Sequence, residues 1–153
     1  EYLEFDEAGL PTGRRLKLAG AYADFTTGRR LIEDERFDVS FVISPDVQPR
    51  PVCAATLVSS SGDLMMTVRT TEPGLHFYKG YAAAAPVPGL DGRPHLPSSG
   101  ICLEATRYND AMNMTGLGDV ILRPGQTYRQ KTQFAFERLD AEGAEPNTQG
   151  DYS

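Results

Sequence analysis

The 153-residue sequence predicts an all-β fold, an antiparallel β-sandwich, on three observations. Apolar and polar residues alternate with a period of two in several short runs; Gly, Pro and Ser cluster between the runs; no stretch carries the three-four spacing of a long amphipathic helix. The length fits one domain able to bury a hydrophobic core, placed here over residues 1–139. Residues 140–153 are polar, with Gly, Pro and Asn among them, and read as a mobile tail.

Taken in order, Arg14-Arg15-Leu16-Lys17 alternates as a solvated strand face does. Phe37 to Ile43 is a strand with Phe37, Val39, Phe41 and Ile43 on one side. Pro51 to Val58 and Asp63 to Thr70, rich in apolar and β-branched residues, form a hairpin through Ser59-Ser60-Ser61-Gly62. Ala82 to Ser99, with Pro86, Pro88, Pro94 and Pro97, is a long loop, as is Asn109 to Asp119. Between these loops, Gly100 to Thr106 is a strand with Ile101, Leu103 and Ala105 on one face and Cys102, Glu104 and Thr106 on the other. Pro124-Gly125 then predicts a type II turn, where the run from Val120 meets a strand over Gln126 to Arg138. Tyr128, Thr132, Phe134 and Phe136 form its buried side.

Composition excludes several functions. With 15 Lys and Arg against 21 Asp and Glu, the net charge of -6 repels a polyanion, and no basic cluster is large enough to track phosphates, so nucleic acid is not a partner. No run reaches the roughly 20 apolar residues of a membrane span, and the start Glu1-Tyr2-Leu3-Glu4 is not a signal peptide. Opening on Glu rather than Met is also what a fragment or processed product looks like. Two cysteines, Cys53 and Cys102, read as reduced, buried small hydrophobes and point to a cytoplasmic protein. Together with His76 and His95 they show no metal-ligand spacing.

Chemically, Glu104 stands out as one carboxylate in an otherwise apolar run. On the inward face of a sheet, partial desolvation would suit it to take and return a proton, which makes it the best general-base candidate. Periodicity alone also allows an exposed carboxylate, or one paired with Arg107 or Arg129.

Four segments carry something more specific. Thr70-Thr71-Glu72-Pro73-Gly74-Leu75-His76-Phe77-Tyr78, Gly100-Ile101-Cys102-Leu103-Glu104, Tyr108-Asn109-Asp110-Ala111-Met112-Asn113 and Ile121-Leu122-Arg123-Pro124-Gly125-Gln126-Thr127-Tyr128 come in this order. Together they resemble the C-terminal half of the aldose 1-epimerases, the galactose mutarotase family. Upstream, Gly9-Leu10-Pro11-Thr12-Gly13 and Gly20-Ala21-Tyr22-Ala23-Asp24-Phe25 resemble that family's Pro-Thr-Gly turn and aromatic-Asp-Phe element. The resemblance runs from about Tyr2 to Arg138.

It implies part of a large β-sandwich, a supersandwich, whose concave face binds a free monosaccharide of the glucose or galactose type. There the α and β anomers are interconverted with no cofactor and no metal. Glu104 is implied as the general base, with Asp24 and His76 as sugar-binding residues. From the residues alone, Asp24 before Thr26-Thr27-Gly28 also fits an Asx-type turn, and His76 between Leu75 and Phe77 a structural histidine. Three positions depart from the family pattern: Thr106 and His76 stand where it has Gln, and Asn109 where it has Pro. Tyr81 replaces a family Asn as well. The family's acid histidine matches nothing in these 153 residues, which implies an N-terminal half on another chain as partner. Two other readings stay open: a non-catalytic carbohydrate-binding sandwich, and a sugar-phosphate epimerase, which would need clustered Arg or Lys.

Overall fold

The computed structural model describes residues 1–85 and 87–140, so the tail beyond Asp140 lies outside the described residues. Eight strands follow in order: β1 (Tyr2–Phe5), β2 (Pro11–Leu16), β3 (Asp38–Val42), β4 (Val52–Val58), β5 (Leu64–Thr70), β6 (Gly74–Tyr78), β7 (Cys102–Thr106) and β8 (Thr132–Arg138). They make two antiparallel sheets, one ordered β2-β1-β3-β6-β7 and the other β4-β5-β8. No helix occurs among the described residues, and the fold is the predicted antiparallel β-sandwich.

The register of the larger sheet explains its two faces. Val39 pairs with Phe77 and Phe77 with Leu103; Phe41 pairs with Leu75 and Leu75 with Ala105. These apolar rows point to one side, where the segment between β2 and β3 lays buried Ala23 and the ring of Phe25 across them. Phe37 stacks on Phe77 at 5.5 Å and meets Phe25 edge-on at 5.2 Å, contacts worth about 0.5–1.5 kcal/mol each beyond their buried area. Opposite them, Ala55 and Leu57 of β4 close an apolar cavity of about 300 Å³ between the sheets. A second apolar cluster, Leu3, Tyr108, Ala111 and Leu117 with Val42, lies on the other face of the large sheet. It holds the loop after β7 over one end of that face, and the Tyr108 hydroxyl donates to the Ser44 carbonyl.

The hairpin of β4 and β5 forms as its sequence predicts, with Gly62 at φ 77° in the turn. The strand expected over Phe37 to Ile43 is β3. Three expectations need correction. The Pro124-Gly125 turn is present, with the Gln126 amide donating to the Arg123 carbonyl at 3.0 Å, but no strands flank it. Tyr128 and Gln130 instead reach toward the large sheet, to Glu72 and to the Ala105 carbonyl, so β8 starts at Thr132 and pairs with β5. Phe134 and Phe136 share a face with Val68 and Met66 as predicted, yet remain 52% and 63% exposed, because β8 is an edge strand. Cys53 is exposed and Cys102 partly so: Cys53 pairs with exposed Arg69, and Cys102 sits on the Glu104 side of β7.

Gly80 has a specific duty. At φ +67° its Cβ position would lie 2.5 Å from the Gly100 carbonyl oxygen, so only glycine lets the two ends of the 81–99 loop meet. The Ser98 amide closes the loop on the Gly80 carbonyl at 2.8 Å.

Candidate functional site

The face of the large sheet opposite the aromatic core carries polar rows. Ser40 pairs with His76 and His76 with Glu104; Asp38 pairs with Tyr78 and Tyr78 with Cys102. Alternation that sends Val39, Phe77 and Leu103 inward therefore brings Asp38, Ser40, His76 and Glu104 together on the other side.

These side chains are joined by hydrogen bonds. His76 Nε2 lies 2.9 Å from Asp38 Oδ1, and His76 Nδ1 lies 2.8 Å from Ser40 Oγ. The Ser40 hydroxyl donates to Asn109 Oδ1 at 2.7 Å, linking the strand row to the loop after β7. At the far end the Tyr81 hydroxyl donates to Asp38 Oδ2 at 3.3 Å. Desolvation first, and the negative charge of Asp38 second, push the Tyr81 phenol above its ordinary pKa. The row spans a gradient of access: Ser40 is buried, His76 is 17% exposed and Glu104 is open to solvent.

Glu104 is thus less desolvated than an inward carboxylate, because Leu103 and Ala105 take the interior side of β7. Neither arginine considered as its partner is paired with it. Arg107 lies beside Glu72, Nε to Oε2 at 3.0 Å. Glu72 is fully buried and also accepts from the Tyr128 hydroxyl at 3.1 Å. The Arg107 contact is an ion pair off the hydrogen-bond direction, so its strength is electrostatic. Burial, and after it the charge of Glu72, raises the Tyr128 phenol. This cluster ties the entry to β6 to the exit from β7, the two strands that carry His76 and Glu104.

Asp24 is placed elsewhere. Its neighbours Ala23 and Phe25 pack on the aromatic side of the sheet, away from His76 and Glu104. Its carboxylate serves its own loop: Oδ1 accepts from the Thr26 hydroxyl at 2.6 Å and amide at 3.0 Å, and Oδ2 from the Gly20 amide at 3.2 Å. The Thr26 hydroxyl above all holds Asp24 below the ordinary carboxylate value. The turn geometry that the residues themselves allowed is the one observed. The carboxylate that does face the polar row is Asp38, which sequence reasoning missed. A signal existed: in the strand whose apolar positions are Phe37, Val39 and Phe41, the alternate positions Asp38 and Ser40 are both polar.

Among the described residues no three His, Cys, Asp or Glu side chains gather as a metal site requires, and no helix is long and apolar enough to cross a membrane.

An antiparallel sandwich that displays a histidine between two carboxylates on one face is built to hold a polar ligand and to move protons. The aldose 1-epimerase family profile matches residues 1–135, and the chain belongs to that family. It is 32% identical over 141 residues to the galactose mutarotase of Homo sapiens, an alignment covering 88% of this chain and 41% of that protein. Against the aldose 1-epimerase of Escherichia coli K12 it is 30% identical over 149 residues, covering 89% and 42%. The crystal structure of a GalM/aldose epimerase homologue from C. elegans superposes with a TM-score of 0.79 at 24% identity, over 92% of this chain and 44% of that one. The chain therefore spans about two-fifths of the length of the relatives it matches.

Proposed function

We propose that the chain is a portion of an aldose 1-epimerase that interconverts the α and β anomers of a free aldohexose of the glucose or galactose type, with Glu104 as general base. The observation that carries this is the register: Glu104 stands directly opposite His76 on a solvent-facing row that also holds Asp38, while the reverse of the same strands is apolar. Glu104 removes the proton of the C1 hydroxyl as an acid protonates the ring oxygen. The bond from C1 to the ring oxygen breaks, the open aldehyde turns about C1–C2, and closure on the other carbonyl face reverses both proton transfers. Asp38 and His76 bind sugar hydroxyls, a carboxylate being able to accept from two neighbours at once. The acid comes from an N-terminal portion of the kind the relatives carry, which packs on this one. With one cation among Asp38, His76 and Glu104, this face favours a neutral sugar over a sugar phosphate.

The test is polarimetry on fresh α-glucose and α-galactose with the chain completed by the N-terminal portion. Glu104→Gln is expected to reduce mutarotation to the buffer rate, and Asp38→Asn to weaken sugar binding where Asp24→Asn does not. A near-wild-type rate for Glu104→Gln refutes the assignment. Calorimetric sugar binding with no mutarotation in the completed wild type would establish a binding module instead.

A further inference from the structure

Two positions at which the chain departs from the family pattern, His76 and Asn109, meet through Ser40. We propose that Ser40 and Asn109 are positioning residues that hold His76 as an imidazolium, aimed through Nε2 at Asp38 on the face that carries Glu104. Donor and acceptor counting leads there. The Asn109 amide presents its oxygen to Ser40, and an amide oxygen only accepts, so the single hydroxyl hydrogen of Ser40 goes to Asn109. The hydrogen between Ser40 and His76 must then sit on Nδ1. A carboxylate brings no hydrogen to its contact with Nε2, so the ring supplies that one as well. Both ring nitrogens are donors, the state in which imidazole carries a positive charge.

The surroundings agree. The charged groups facing His76 from the flanking strands are both acidic, Asp38 on β3 and Glu104 on β7, with Tyr78 two residues along its own strand. Ser40, 3% exposed and held between Asn109 and His76, is too enclosed to act as a nucleophile and serves as a relay. With both N–H groups occupied, His76 does not donate a proton to a ligand. It fixes Asp38 Oδ1 and leaves Oδ2, beside the Tyr81 hydroxyl, as the free acceptor. Its relevance to sugar binding rests on the function proposed above; the charge state itself does not.

Ring-nitrogen NMR on the 153-residue chain tests this directly, because the sequence has only two histidines and His95→Gln leaves the His76 signals alone. The expected spectrum at pH 7 shows protons on both His76 nitrogens. Ser40→Ala and Asn109→Leu should each lose the Nδ1 proton while keeping the one shared with Asp38. Asn109→Asp, a pure acceptor of similar shape, should retain both, and amide dispersion confirms folding in each case. A wild-type ring with a bare Nδ1, which places the Ser40 hydrogen on His76, overturns the proposal, as does an unchanged ring in Ser40→Ala. Adding glucose or galactose tests the other reading alone: a doubly protonated ring that no sugar perturbs leaves the relay standing and counts against the sugar site.

Discussion

Replacing Arg107 by methionine keeps most of the side-chain length and removes the charge that faces Glu72. The Glu72 carboxylate, with no exposed surface, then keeps only the Tyr128 hydroxyl on Oε1. Breaking one side of a buried ion pair costs about 3–5 kcal/mol, because the remaining charge is left uncompensated. Here the Arg107 side chain is 33% exposed and its contact is poorly directed, so water already screens part of the attraction. A cost of about 2–4 kcal/mol follows. At roughly 2–4 °C per kcal/mol for a chain of this size, the melting temperature falls by about 4–16 °C, read by calorimetry at pH 7. The double variant Arg107→Met, Glu72→Gln should recover much of the loss, since an amide keeps a hydrogen bond to Tyr128 without a charge to compensate. Hydrogen exchange should locate the damage at the entry to β6 and the exit from β7. An Arg107→Met protein within about 0.5 kcal/mol of wild type, the range of an ordinary surface change, refutes the reasoning. So does a double variant that melts with the single one.

Two further predictions concern the loops. Gly80→Ala combines a positive φ with a Cβ 2.5 Å from the Gly100 carbonyl oxygen, and should cost about 1–3 kcal/mol in urea unfolding. Gly92→Ala, at φ +74° with nothing within 4 Å, should cost less; equal losses would show that the contact with Gly100 is not the cause. Thr26→Val should raise the Asp24 carboxyl toward its ordinary value, followed by carbon NMR titration. A carboxyl lowered in the folded state gives stability that is present above its unfolded value and is lost as pH falls through its folded one, so the substitution flattens that acid limb. An Asp24 titration unchanged by Thr26→Val would remove the hydroxyl as the cause.

The fold was legible wherever a strand has one wet side and one dry side. β3, β4, β5 and β7 all show alternation, and the Ser59–Gly62 turn supplies what its hairpin needs. β6 is harder to read because Gly74, Leu75, Phe77, Lys79 and Gly80 around it are all buried, as befits a strand between two others, and the polar marks of alternation thin out. Tyr128 misleads for another reason. It continues the pattern of Phe134 and Phe136, but the buried carboxylate of Glu72 offers its hydroxyl a partner, and that attraction takes residues 126–130 away from β8. Nothing local announces a partner 56 residues back in the sequence.

The site was legible in its motif and not in its geometry. Glu104 and His76 lie in recognisable segments, but only the antiparallel register makes them neighbours. Asp24 drew attention because it sits in a motif; its segment, however, is held to the aromatic side by Phe25 and Ala23, so its carboxylate has no route to the polar row. Asp38 sits in a plain alternating strand and reaches that row by parity alone. The same reasoning gives sense to two of the departures from the family pattern. A histidine at position 76 has two ring nitrogens to satisfy, and in this half-buried row bare polar atoms are costly. Asp38 answers one; the other needs Ser40, whose hydroxyl in turn needs an acceptor. Proline at position 109 has no side-chain acceptor to offer, whereas Asn109 has. His76 and Asn109 are therefore one adjustment rather than two, and reverting Asn109 to proline while His76 remains would leave the Ser40 hydroxyl without its acceptor and the ring free to lose its Nδ1 proton.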